Sequence, residues 1–71
     1  MKRLYFVVTR SGRLMSRRHD LPTAFDKNRL CAEAGEAVLS YRVSKATFKL
    51  FRKGDTVPQL IGWPSTWDTE W

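Results

Sequence analysis

Arg3-Leu4-Tyr5-Phe6-Val7-Val8-Thr9, followed by Arg10-Ser11-Gly12, is the stretch on which the reading of the fold turns. It is rich in β-branched and aromatic residues, too short for a helix that stands alone, and it ends at a turn signal, so residues 3–9 predict a strand. Residues 13–18, around Leu14 and Met15, predict a second and weaker strand. The tight connection between them makes the pair an antiparallel hairpin.

From Asp20 the pattern changes. Asp20 or Thr23 suits a helix cap, Pro22 is tolerated in a first turn, and Thr23-x-x-Asp26 reads as a capping box. Leu21, Ala24, Phe25, Ala32 and Ala34 form a partial apolar stripe, which predicts a helix over residues 21–34 with Gly35 as its left-handed C-cap. Residues 37–43 then alternate, with Leu39, Tyr41 and Val43 on one face and Ser40 and Arg42 on the other. A competing reading carries the helix on to about residue 45, since Leu30, Ala34, Ala37, Val38 and Tyr41 also recur at helical spacing; Gly35 inside it would cost about 1 kcal/mol relative to Ala. Residues 47–53 alternate again between Ser44-Lys45-Ala46 and Gly54-Asp55, and residues 57–63 suit a short edge strand because Pro58 has no N–H to donate.

The expected fold class is therefore α+β: an antiparallel sheet of four to five strands with one helix packed on one face, in the order strand, strand, helix, strand, strand. A chain of 71 residues has room for one small domain, residues 1–71, with residues 64–71 as a tryptophan-rich tail. A domain this small buries about 60% of its unfolded surface, which disfavours a deep substrate cavity. The apolar fraction of 42% and the nine aromatic residues indicate a folded chain despite a net charge of +6. Cys31 is the single cysteine, so an intramolecular disulfide framework is excluded, a reducing, cytoplasmic setting is expected, and Cys31 itself reads as a small buried apolar side chain. The apolar run Leu4 to Val8 ends after five residues, too short for a signal sequence or a membrane span, and no membrane partner is expected.

Charge is distributed unevenly. Residues 1–18 carry Lys2, Arg3, Arg10, Arg13, Arg17 and Arg18 with no acid, and residues 42–53 carry Arg42, Lys45, Lys49, Arg52 and Lys53, again with no acid. Residues 19–41 hold four acids against Lys27 and Arg29, and residues 54–71 hold three acids and no base. The predicted strands are thus basic while the helix and tail are acidic, a field that attracts polyanions; the plainer account is a solubilising surface with cations guarding strand edges.

If Leu4, Phe6 and Val8 face the helix, then Tyr5 and Val7 face outward. If Phe48 and Leu50 turn inward, Lys49 and Phe51 face outward beside Arg42. An open sheet face with Tyr5, Phe51, Arg42 and Lys49 would join stacking surfaces to phosphate partners, with Arg10, Arg13, Arg17, Arg18, Arg52 and Lys53 completing the basic surface. Leu4-Tyr5-Phe6-Val7-Val8 resembles, in residue types, the first ribonucleoprotein-motif strand of RNA-recognition domains. The resemblance covers about five residues; Ser44 to Lys49 lacks the glycine of the second motif, and membership is not assigned.

Catalytic groups are sparse. His19 is the only histidine, so a paired-histidine metal site is excluded; Arg17-Arg18-His19-Asp20 would suit phosphate cleavage in principle, but reads more plainly as a solvated turn entering the helix. The glycines at 12, 35, 54 and 62 are dispersed and form no phosphate-cradling loop. No catalytic residue, metal or cofactor is expected. Trp63, Trp67 and Trp71 recur every four residues, a spacing that shares one face in a helix or a strand. Trp63 is expected to pack on its own domain, whereas Trp67 and Trp71 suit a protein-partner anchor, with Asp68 and Glu70 disfavouring nucleic acid there. Two function classes follow: a non-enzymatic nucleic-acid-binding module, or a protein-binding regulator or inhibitor of phage or mobile-element type acting on an acidic surface of a larger complex.

Overall fold

The computed structural model describes residues 3–57, 60 and 63. Three strands, β1 (Leu4–Thr9), β2 (Leu14–Arg18) and β3 (Val38–Val43), and two helices, α1 (Ala24–Ala34) and α2 (Lys45–Leu50), follow in the order β1-β2-α1-β3-α2. The sheet order is β2-β1-β3, with β1 antiparallel to both neighbours. The β2 and β3 strands therefore run parallel on either side of β1, and α1 carries the chain across.

The hairpin is closed by a short turn in which Gly12, at φ 102°, adopts a backbone conformation that side chains rarely tolerate. The Thr9 N–H donates to the Arg13 carbonyl at 2.8 Å and the Thr9 hydroxyl accepts from the Arg13 N–H at 2.9 Å. Glu36 holds this turn from outside, since its carboxylate accepts from the Ser11 N–H at 2.9 Å and the Ser11 hydroxyl at 3.0 Å. The pairing shifts between Val7 and Val8, so that Leu14 rather than Met15 stands opposite Val8. This bulge sends Leu14 to one face of the sheet and Met15 to the other, where each finds apolar partners.

The Thr23 capping box starts α1: the Thr23 hydroxyl accepts from the Asp26 N–H at 3.2 Å, and the Asp26 carboxylate accepts from the Thr23 N–H at 3.0 Å. The helix ends at Gly35, left-handed at φ 72°, whose N–H returns to the Cys31 carbonyl at 2.9 Å. These features match expectation, and β3 follows directly without the longer competing helix. The contact stripe differs: Leu30, Cys31 and Ala34 meet the sheet, whereas Phe25 is 74% exposed.

Two other expectations are corrected. First, residues 45–50 form α2 rather than a strand. Ser44 caps it, accepting from the Thr47 N–H at 3.2 Å, and Phe48 and Phe51, three residues apart, fall together onto the sheet. The alternation of residues 47–53 was a coincidence of composition; Leu50, expected inward, is 72% exposed. With α2 in place, the described residues hold three strands and two helices in place of four to five strands and one helix.

Second, the faces are reversed and neither is open. Val7 and Val38 pack against α1, while Phe6, Val8, Leu14, Tyr41 and Val43 form the larger core with Phe48, Phe51, Val57 and Leu60 on the opposite side. Tyr5 and Val7, expected at the surface, are buried at 4% and 0% exposure. Covered on both faces, β1 needs a continuous apolar run rather than alternation, and Leu4 to Val8 supplies it. Phe51 is half-buried, its ring edge-on to Phe6 at 6.3 Å.

The chain after α2 straps the larger core. Leu14 N–H donates to the Asp55 carbonyl and Gly54 N–H to the Leu14 carbonyl, both at 2.8 Å, and Val57 N–H donates to the Gly12 carbonyl at 2.6 Å. One isolated bridge, Arg13 to Thr56, stands where an edge strand was expected to begin. The Leu60 N–H donates to the Val57 carbonyl at 3.2 Å and the Trp63 N–H to the Leu60 carbonyl at 3.1 Å, turn-type bonds by which the described residues of 57–63 coil rather than extend. Val57 and Leu60 are fully buried, each contributing about 1.5–3 kcal/mol of apolar burial.

Candidate functional site

At the end of the sheet where β1 begins and β3 ends, Leu4 and Val43 are cross-strand partners and form an apolar floor. Around it opens a groove of ≈ 940 Å³ lined by Arg3, Leu4, Arg17, His19, Arg42, Val43, Ser44, Lys45, Phe48 and Lys49. Five of these carry a permanent positive charge and none is acidic.

Each wall is placed by local structure. Arg17 stands opposite Phe6 in the hairpin and shares its face of the sheet. Its guanidinium lies 4.2 Å from the Phe48 ring centroid and donates to the Phe48 carbonyl at 2.8 Å, a cation–π contact reinforced by a hydrogen bond. Phe48 also stacks on Phe6, with centroids 5.7 Å apart. The His19 ring meets Phe48 at 5.4 Å with a 46° tilt. Lys45 and Lys49, four residues apart on α2, project from the same side of that helix. Arg42 borders the groove from β3, although its pairing with Tyr5 puts its side chain on the α1 face.

Neighbouring carboxylates are engaged elsewhere. Arg18, beside His19 but on the other face, pairs with Asp20 at 3.1 Å and with Asp26 at 2.9 Å. The Arg18 hydrogen bond holds Asp20 below the usual carboxylate range, and the Thr23 N–H, aided by the Thr23 hydroxyl and Arg18, does the same for Asp26. The Arg18 guanidinium is correspondingly raised, first by its hydrogen bond to Asp20. Glu36 is taken up by Ser11, and Asp55 accepts from the Arg52 N–H at 2.8 Å. Among the described residues, the positive field of the groove therefore has no carboxylate wall to offset it.

Of the residues expected to bind, Arg17, Arg42 and Lys49 come together here. Tyr5 is buried and Phe51 is packed against the larger core, so neither is a stacking surface. Arg18 is committed to its two aspartates. Arg10, Arg13, Arg52 and Lys53 lie at the opposite end of the sheet, in the hairpin turn and in the turn that meets Leu14. Trp67 and Trp71, and the tail 64–71 with them, lie outside the described residues; Trp63 is 46% exposed. The groove adds Arg3, Lys45, Phe48 and His19, the last considered from sequence only as an acid or base. The spacing of Lys45 and Lys49 was a readable signal once Ser44 is taken as a helix cap.

Among the described residues, no three His, Cys, Asp or Glu side chains gather as metal ligands, and no helix is long and apolar enough to cross a membrane. Cys31 is partly buried against the α1 side of the sheet. No protein-family model, curated protein or solved structure matches the chain.

Proposed function

We propose that this chain is a non-enzymatic nucleic-acid-binding module whose contact surface is the groove between the end of β1, Arg17 and α2. The observation that carries the reading is the lining itself: Arg3, Arg17, Arg42, Lys45 and Lys49 around an apolar floor, with no acidic residue among them. Such a surface attracts phosphates at long range and holds them by releasing their counterions. It replaces the open sheet face that the sequence suggested, and it keeps the same partner chemistry.

The test is binding of a labelled oligonucleotide to the purified chain across a salt series, with Arg17→Gln and Lys49→Gln beside the parent. Affinity that falls steeply with salt and drops in both variants supports the reading; affinity indifferent to salt rejects it. The same preparation is expected not to cleave RNA, and turnover abolished by His19→Ala would overturn the non-enzymatic part of the proposal.

A second reading, a regulator or inhibitor that docks on a larger protein complex, draws on a different observation. Trp63 is 46% exposed and Leu50 72% exposed, apolar surface that phosphate binding does not use. Aromatic anchors concentrate interface energy, so truncating Trp67 or Trp71 would cost such a partner about 2 kcal/mol or more. Recovery of one protein from the native host by pull-down, undiminished by nuclease, would favour this reading.

A further inference from the structure

The groove holds more than charge. Phosphate capture alone requires cations, yet here the cations surround Leu4, Val43 and Phe48, and two flat groups lie against the Phe48 ring: the Arg17 guanidinium and the His19 imidazole. Both are exposed on their outer side. Guanidinium planes and aromatic rings are the surfaces on which unpaired bases stack.

His19 is also held in place. The residues flanking it are tethered on the α1 side, Arg18 by Asp20 and Asp26, and the Arg18 side chain is only 19% exposed. Arg17 is fixed by its bond to the Phe48 carbonyl. The Arg17 guanidinium over Phe48, with the His19 ring tilted beside it, thus forms a stacking surface placed by the core before any ligand arrives, and a surface already ordered loses less freedom on binding.

We infer that the groove takes an unpaired nucleotide of a single nucleic-acid strand, its base laid on His19 and Arg17 and its flanking phosphates on Arg3, Lys45 and Lys49. This rests on the groove being the nucleic-acid contact. In a duplex both faces of a base are occupied by its neighbours, so the platform has nothing to stack against unless the helix opens. A single strand offers each base face and its phosphates together.

Four fluorescent ligands of equal length separate the outcomes: a DNA strand, its duplex, an abasic strand with the same phosphates, and the RNA strand of the same sequence. Fluorescence anisotropy with the full chain at low salt is expected to give single-strand binding ~10-fold or more tighter than the duplex or the abasic strand, within the range that one stacked base supplies. The DNA and RNA strands are expected to bind alike. His19→Ala is expected to weaken single-strand binding ~5-fold or more and His19→Phe to restore it, which separates stacking from charge; circular dichroism confirms that each variant is folded. Equal affinity for the strand and its abasic counterpart, with steep salt dependence intact, overturns the stacking platform and leaves the groove as a phosphate site. Binding by RNA alone would move recognition to the sugar and equally overturn it. Poly-glutamate bound as tightly as the strand would reject nucleic acid as the ligand, and binding to none of these would reject the groove itself.

Discussion

Replacing Lys45 and Lys49 together with glutamine removes two of the three groove cations assigned to phosphates, leaving Arg3. For single strands the logarithm of affinity falls with the logarithm of salt by about 0.7 for each phosphate neutralised. Three contacts give a slope of about −2.1, so affinity drops roughly 18-fold between 50 and 200 mM salt; one contact gives about −0.7 and a drop of roughly 3-fold. The double variant tests charge and little else, because both lysines are exposed on α2 and glutamine has a similar helix preference. Losing the cation at Lys45, in the first turn, slightly favours the helix dipole. Anisotropy titrations at four or five salt concentrations on parent and variant supply the two slopes. An unchanged slope in a folded double variant would mean that the strand does not lie against α2. The same fall produced instead by Arg52→Gln with Lys53→Gln would place the contact at the other end of the sheet.

The remaining predictions concern the framework that carries the groove. Phe48→Ala removes a half-buried ring stacked on Phe6 and under Arg17, and is expected to cost about 2–3 kcal/mol, below the figure for a fully buried ring, lowering the melting temperature by more than about 8 °C. Leu50→Lys changes a 72% exposed position and is expected to alter stability by less than about 0.5 kcal/mol; a loss of several kcal/mol would mean that residues 45–50 pack as a strand after all. Thr23→Ala deletes the capping hydroxyl of α1 and is expected to cost about 1 kcal/mol in denaturant titration. Asp20 and Asp26 titrate lower in the folded chain than in the unfolded one, so the unfolded chain binds more protons between the two values. Their stabilisation is fully present above the ordinary carboxylate value of about 4 and is lost as pH falls through the folded values. Chemical denaturation from pH 7 to 2 is expected to show that decline, with Asp26→Asn flattening it.

Much of the framework was legible in local chemistry. The hairpin declared itself through Leu4 to Thr9 and Ser11-Gly12, and α1 through Thr23, Asp26 and Gly35, because caps and turns are decided by a few adjacent residues. The α2 helix was not, although Ser44 with Thr47 three residues on is a capping signal and Phe48 and Phe51 have helical spacing. A six-residue segment is below the length at which helical preference alone prevails, so tertiary packing on Phe6 decides its form. The misread faces follow from the same omission: Leu4 to Val8 lacks polar alternates because α2 and the strap cover the side of the sheet opposite α1. The groove gathers residues from 3–4, 17–19, 42–45 and 48–49, and no local pattern reveals that they meet. Only the sign of the charge was readable in advance.

The strand with the most neighbours is the first in the chain. Leu4 pairs with Val43, thirty-nine positions later by their numbering, and Leu60 closes the core above Phe6 later still. The hairpin with β2 is local, but alone it leaves Phe6, Val7 and Val8 bare on both faces and one side of β1 unpaired. An unpaired, apolar strand edge is a template for other chains. Until β3 pairs with it that edge of β1 is uncovered, and like charge at Arg10, Arg13, Arg17 and Arg18 disfavours the approach of a second such hairpin.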